Sequence, residues 1–201
     1  MFLSAIVSLI YGEAAGRLIL SGTITLVTGI LVFTPLRDTE RLYGNKEGYI
    51  LITGSWILAV LFGTLPYLLS GTTETFSDAF FESMSGFTTT GSTVFTDVEA
   101  LPKGILFWRS LTQWLGGAGF ILISLAVIPV MKTLNIQLSM PEFYGQPTDK
   151  IHPKIKESAK RLIFIYSVLT LSEVVVLSFA GMNFFDAVCH SLSTLSTGGF
   201  S

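Results

Sequence analysis

The chain has 201 residues, half of them hydrophobic and only 13% charged, with a formal net charge of −2 and a mean hydropathy of +0.64. A soluble domain carries roughly 25% charged residues, so lipid must cover part of this apolar surface, and intrinsic disorder is excluded. The absence of a recurrent basic face excludes a nucleic-acid binder, and the single cysteine, Cys189, excludes an internal disulfide framework and a multi-cysteine zinc site.

In chain order, residues 1–12 are uncharged but too short to cross a bilayer, and they lack the basic start of a signal peptide. They are expected to be the tail of a helix whose beginning is missing. Four longer runs follow at 18–36, 48–73, 110–131 and 162–185, each of 19 to 26 residues, with Glu173 the one charge inside them. About 20 apolar residues cross a bilayer as helix, so all four are predicted spans. Nine of the twelve lysines and arginines then fall on one face, including Arg37, Arg41, Lys46, Lys132, Lys150 and Lys154. That asymmetry predicts cytoplasmic loops at 37–47 and 132–161, and outward-facing segments at 70–109 and 181–201. Pro141, Pro147 and Pro153 make 132–161 a linker or docking loop, with 151–161 a basic helix entering the last span.

Self-similarity gives the main signal. Residues 76–93 read FSDAFFESMSGFTTTGST and residues 184–201 read FFDAVCHSLSTLSTGGFS; seven of 18 positions agree at an offset of 108, without gaps. In the first copy, 78–87 has helix character, with Asp78 as an N-cap or first-turn acid. Such a segment reaches only about 15 Å, half the hydrocarbon thickness. The hydroxyl-rich run after it does not continue a helix. Non-helical backbone at membrane depth persists only where protein buries it or ions and water reach it. A half-helix followed by an extended glycine-containing strand between spans is the layout of a cation-channel pore loop, whose carbonyls replace the hydration shell of the ion. No catalytic triad, phosphate loop or metal-ligand cluster recommends an enzyme.

FFESMSGFTTTGST, followed by LPKGILFWRSLTQWLGGAGFILISLAVIPV, resembles the Trk/Ktr/HKT superfamily of potassium transporters, most of all its bacterial TrkH branch. DAVCHSLSTLSTGGFS resembles the second pore loop of that family. The resemblance implies an all-α membrane protein of repeated span–pore loop–span units, with extra helices in front. The units would be 1–47 (two extra helices and a loop), 48–131 (first repeat), 132–161 (linker) and 162–201 (second repeat, truncated after its pore loop).

The resemblance carries the first selectivity filter onto Thr89, Thr90, Gly91 and Ser92, and the second onto Thr197, Gly198, Gly199 and Phe200. The four carbonyls of the first are expected to point inward together. The resemblance further implies potassium as the transported ion and no covalently bound cofactor. It implies a homodimer in the cytoplasmic (inner) membrane of a bacterium, and regulation by an RCK-type, TrkA-like nucleotide-binding subunit docking in part on 132–161. The alternatives are a sodium-permeable relative and a non-conducting scaffold. Four pore loops close a ring in this family and the chain supplies two, so 201 residues are expected to be a fragment that does not conduct alone.

Other residues carry structural expectations. Gly54, Gly63, Gly116, Gly117 and Gly119 are read as packing surfaces. Arg109 is read first as an interfacial anchor, with Trp108 in the aromatic belt, and a filter-supporting role is its alternative. Glu82 and His190, at equivalent positions of the repeat, either line an outer vestibule or are merely solvated. Glu173, an intramembrane acid, is read either as functional or, first, as satisfied by a neighbouring helix, and Cys189 is expected to be a small buried residue.

Overall fold

A computed structural model describes residues 1–36, 45–133 and 151–200, and among these every regular element is a helix. The order is α1 (Phe2–Ile10), α2 (Gly16–Leu36), α3 (Asn45–Gly63), α4 (Leu65–Ser70), α5 (Phe76–Phe87), α6 (Lys103–Thr133), α7 (Ile151–Phe179) and α8 (Phe184–Leu195). Three stretches, Gly16–Pro35, Ile50–Ser70 and Glu157–Phe179, are long and apolar enough to cross a membrane. The fourth expected span lies in α6, which at 31 residues is about 46 Å long. Large apolar side chains such as Leu31, Phe33, Phe164, Leu171 and Phe179 are exposed on α2 and α7, as lipid-facing helices require.

Three expected boundaries shift. The second span ends at Ser70, where Gly71 adopts the left-handed conformation (φ 73°) that stops a helix. The last ends at Phe179 rather than 185; the chain turns at Gly181 (φ 97°), and Phe184 opens the next helix. The third begins at Lys103, because Arg109 is inside the protein and does not mark a boundary. The basic helix expected at 151–161 is the first part of α7, continuous with the span.

The half-helices α5 and α8 have 12 residues each, about 18 Å, too short to span. Thr75 caps α5, its hydroxyl accepting the Asp78 N–H at 3.1 Å, so Asp78 is the first-turn acid and not the cap. Asn183 serves α8 the same way, accepting from Phe185 N–H at 3.1 Å. Helix α6 packs against both half-helices, while α3 and α7 flank them on the outer sides. A cluster of Ala5, Leu18, Tyr67, Ala79, Ile105 and Trp108 ties α1, α2 and α4 to this assembly.

Trp108 is therefore not in an aromatic belt. It is buried, and its indole N–H donates to the Gly63 carbonyl at 3.2 Å. The small-residue reading fits four glycines. A Cβ on Gly63 would overlap the Ser83 hydroxyl, one on Gly116 the Phe87 carbonyl and one on Gly117 the Tyr166 hydroxyl, while Gly119 lies against Trp56. Gly54 is the exception, with nothing within 4 Å among the described residues.

Candidate functional site

Each half-helix ends in the same hydrogen-bond pattern. In α5, Thr89 N–H donates to Gly86 O (3.0 Å) and Thr90 N–H to Ser85 O (2.9 Å). In α8, Thr197 N–H donates to Thr194 O (2.8 Å) and Gly198 N–H to Ser193 O (2.9 Å). This is the Schellman ending, which needs a left-handed residue at its fifth position and usually places glycine there. Here Thr89 (φ 55°) and Thr197 (φ 56°) occupy it. A β-branched residue in that region costs about 1–2 kcal/mol and is a genuine outlier. Its occurrence at matched positions of both copies points to function, since strain of this kind is kept where the surroundings need the side chain.

Two residues on, Gly91 (φ 79°) and Gly199 (φ 75°) are left-handed again, while Thr90 and Gly198 between them are not. Each loop thus alternates the sign of φ over three residues. Such alternation gathers successive N–H groups on one side of the chain and the carbonyls on the other. A regular strand sends them to both sides alternately. The loops touch: a Cβ on Gly91 would overlap the Gly198 carbonyl oxygen. All eight residues carried over from the sequence therefore lie in two adjoining loops of one backbone design.

Ser92 is engaged from behind. Its carbonyl accepts the hydroxyl of Ser85, buried in α5, at 2.6 Å, which occupies one of its two lone pairs. Phe200 is also turned inward, 8% exposed, with its ring under the Arg109 guanidinium.

The residues that hold these loops come from one face of α6. Arg109, Gln113, Gly116 and Gly117 follow at i, i+4, i+7 and i+8, so they stack along a single stripe. Gln113 is fully buried; its side-chain oxygen accepts from the Ser193 hydroxyl and from Phe200 N–H (3.4 Å), and its amide lies against Gly198. Arg109 is buried and paired with Glu82 at 2.7 Å. Against its first reading, Arg109 does not reach an interface, and Glu82, with no exposed surface, neither lines a vestibule nor is solvated. A buried guanidinium needs a buried acid, and each supplies the other's partner. His190, the counterpart of Glu82, is half-buried, as is Cys189. Glu173 also differs from its first reading, because its Oε2 is buried without a hydrogen-bond partner among the described residues.

The α6 stripe was the signal that sequence reasoning passed over. It read Arg109 and the glycines one at a time and gave Gln113 no role beyond its place in the QWLGG segment, whereas their helical spacing already placed them on one face.

A family model described as TrkH, cation transport protein, matches residues 20–201. The chain belongs to the TrkH family. Relatives named Trk system potassium uptake protein TrkH are 39% identical in Salmonella typhimurium and 38% in Escherichia coli, each alignment covering the whole chain and 42% of the relative. The Halomonas elongata protein of the same name is 41% identical over 89% of the chain and 37% of its own length. The crystal structure of the potassium transporter TrkH from Vibrio parahaemolyticus matches the entire chain with a TM-score of 0.84 at 35% identity, over 40% of its length. The chain thus spans about two fifths of the TrkH proteins it matches, and it shares their all-helical, multi-pass membrane fold.

Proposed function

We propose that this chain forms part of a potassium-uptake pore, with Thr89, Thr90, Gly91 and Ser92 in one filter and Thr197, Gly198, Gly199 and Phe200 in a second. The observation that carries the reading is the repeated alternation of φ in two touching loops, each at the end of a half-helix. A half-helix directs its negative end at the loop that follows it, and aligned carbonyls there can replace the hydration shell of a cation. The Thr89 and Thr197 hydroxyls have no hydrogen-bond partner among the described residues, which leaves them available as further oxygen ligands. The names of the relatives favour potassium over sodium, and Gly91 favours it too by resemblance. In this reading Ser92 supplies less than a free carbonyl, because Ser85 already engages it.

The remaining parts of the proposal concern the whole protein. It is a transporter and not an enzyme, a homodimer in the bacterial inner membrane, with repeat units at 48–131 and 162–201 behind extra helices in 1–47. An RCK-type subunit regulates it, contacting the loop 132–161, most of which lies outside the described residues. Residues 37–47, which also lie largely outside them, face the cytoplasm, whereas 70–109 and 181–200 face outward. Labelling Asp97→Cys, but not Asn45→Cys, with an impermeant reagent on sealed cells is the expected result for this orientation.

The deciding experiment uses the full-length transporter in a host deficient in potassium uptake. Growth rescue, with rubidium uptake exceeding sodium uptake, is expected. Equal uptake of the two ions would overturn the potassium reading, and no flux from well-inserted protein would overturn the pore.

A further inference from the structure

One charged group behind the loops reaches the segment that leaves the first and Phe200 in the second. Arg109 is 2% exposed and Glu82 0%. The Thr93 hydroxyl completes a triangle with this pair, accepting from Arg109 Nη2 at 3.2 Å and lying 3.0 Å from each carboxylate oxygen. Glu82 also accepts the Val94 N–H at 3.1 Å, and Thr93 Oγ1 accepts the Phe95 N–H at 3.2 Å. These bonds land on residues 93–95, the segment that leaves the first loop. The Arg109 guanidinium carbon sits 4.2 Å from the centre of the Phe200 ring, in the second loop.

Stability alone does not account for this arrangement. A buried ion pair often contributes no more than well-packed apolar residues of the same volume. What the pair supplies is geometry. The planar guanidinium offers its edge to a carboxylate and a hydroxyl while its face covers an aromatic ring, and a lysine ammonium cannot do both. Arg109 bonds Glu82 and Thr93, which in turn hold the Val94 and Phe95 N–H groups, and it covers Phe200, so one side chain links the exit of the first loop to the second.

We infer that Arg109 is a positioning residue that locks the two pore loops to each other through Glu82, Thr93 and Phe200, and that it thereby sets ion preference. The inference rests on the filter reading given above. It extends that reading from the loops to a residue on a spanning helix that contacts no ion.

The test is the ratio of rubidium to sodium uptake by the intact transporter, normalised to membrane-inserted protein. A residue that only stabilises the fold lowers the inserted amount and both fluxes together, so it leaves the ratio unchanged. Arg109→Lys keeps the charge and loses the geometry, and should lower the ratio about tenfold; Thr93→Val and Phe200→Leu should lower it about threefold. Arg109→Lys combined with Phe200→Leu should be no worse than Arg109→Lys alone, because both remove one contact. If Arg109→Lys fails to insert, the two milder variants decide: Thr93→Val conserves size outside the filter, and Phe200→Leu removes only the ring that the guanidinium covers. An unchanged ratio in them, with wild-type preference intact, would overturn the role of Arg109 and leave the filter standing. A multiplicative loss in the double variant would equally overturn the link through Phe200. Absence of rubidium preference in the wild type would instead sink the filter reading itself.

Discussion

The two pore loops share one backbone and are held by different chemistry. In the first, Ser85 reaches its own loop at Ser92 O, and an ion pair between Glu82 and Arg109 holds the exit. In the second, the matching Ser193 reaches away to Gln113, and a neutral amide holds Phe200 N–H. Where the first half-helix carries a buried glutamate, the second carries His190. The conformation nevertheless agrees: φ is 55° and 79° at Thr89 and Gly91, 56° and 75° at Thr197 and Gly199. The shared feature is the backbone geometry, and the supports are whatever the neighbouring helix provides. Helix α6 lies between the loops and serves both, the first through the ion pair and the second through an amide and the face of the same guanidinium.

Several substitutions bear on that comparison. The largest effect is expected at Gly91. A Cβ there requires an unfavourable left-handed backbone, at about 1 kcal/mol, and also overlaps the Gly198 carbonyl. Gly91→Ser should raise sodium uptake relative to rubidium, by tenfold or so if about 1.4 kcal/mol of discrimination is lost, while the protein still inserts. Gly199 is equally left-handed but has nothing within 4 Å among the described residues, so Gly199→Ser should do less. Equal effects at the two glycines would mean that contact between the loops is irrelevant.

Next comes Gln113. Gln113→Leu removes the acceptor for Ser193 and Phe200 and leaves buried donors unpaired, at about 1–3 kcal/mol each. It should lower the thermal stability of the purified transporter and disturb ion preference through the second loop. A variant of normal stability and preference would show that the amide is a bystander.

A smaller effect is expected at Glu13, far from the loops. Its carboxylate caps α6 from a distant part of the chain, accepting Lys103 N–H at 2.7 Å and Gly104 N–H at 3.1 Å. Glu13→Ala should cost about 1–2 kcal/mol of stability by leaving two helix N–H groups unpaired, with ion preference unchanged. A shift in preference would show that α6 transmits displacement along its whole length. Smallest of all is Thr89→Gly. It removes a strained left-handed threonine, so melting temperature should hold or rise slightly, by the equivalent of about 1 kcal/mol at most. Rubidium preference should fall if the hydroxyl is a ligand. Both unchanged would mean that the threonine has no role.

Much of this protein is legible in its sequence. Uncharged runs show that the spans exist and roughly where, because hydrocarbon admits only backbone that bonds to itself, while their ends shift by several residues. The offset-108 repeat fixes the two loops, because like backbone demands recur in like residues. Glycine at 91 and 199 shows where the chain turns left-handed. The fate of charged residues was not legible in this way. Arg109 at a predicted span boundary reads as an anchor, and Glu82 in a short helix reads as open to water. Each reading holds only while the partner is unknown. Whether a charge is buried depends on what lies within about 4 Å of it, and here that is a residue 27 positions away on another helix. Likewise, no local pattern distinguishes the carbonyl of Ser92 from its neighbours; the Ser85 hydroxyl does so only once α5 and the loop are folded together. Periodicity and repetition are properties of the chain itself, and so they survive without a fold. Pairing across helices is a property of the packing, and only the tertiary structure decides it.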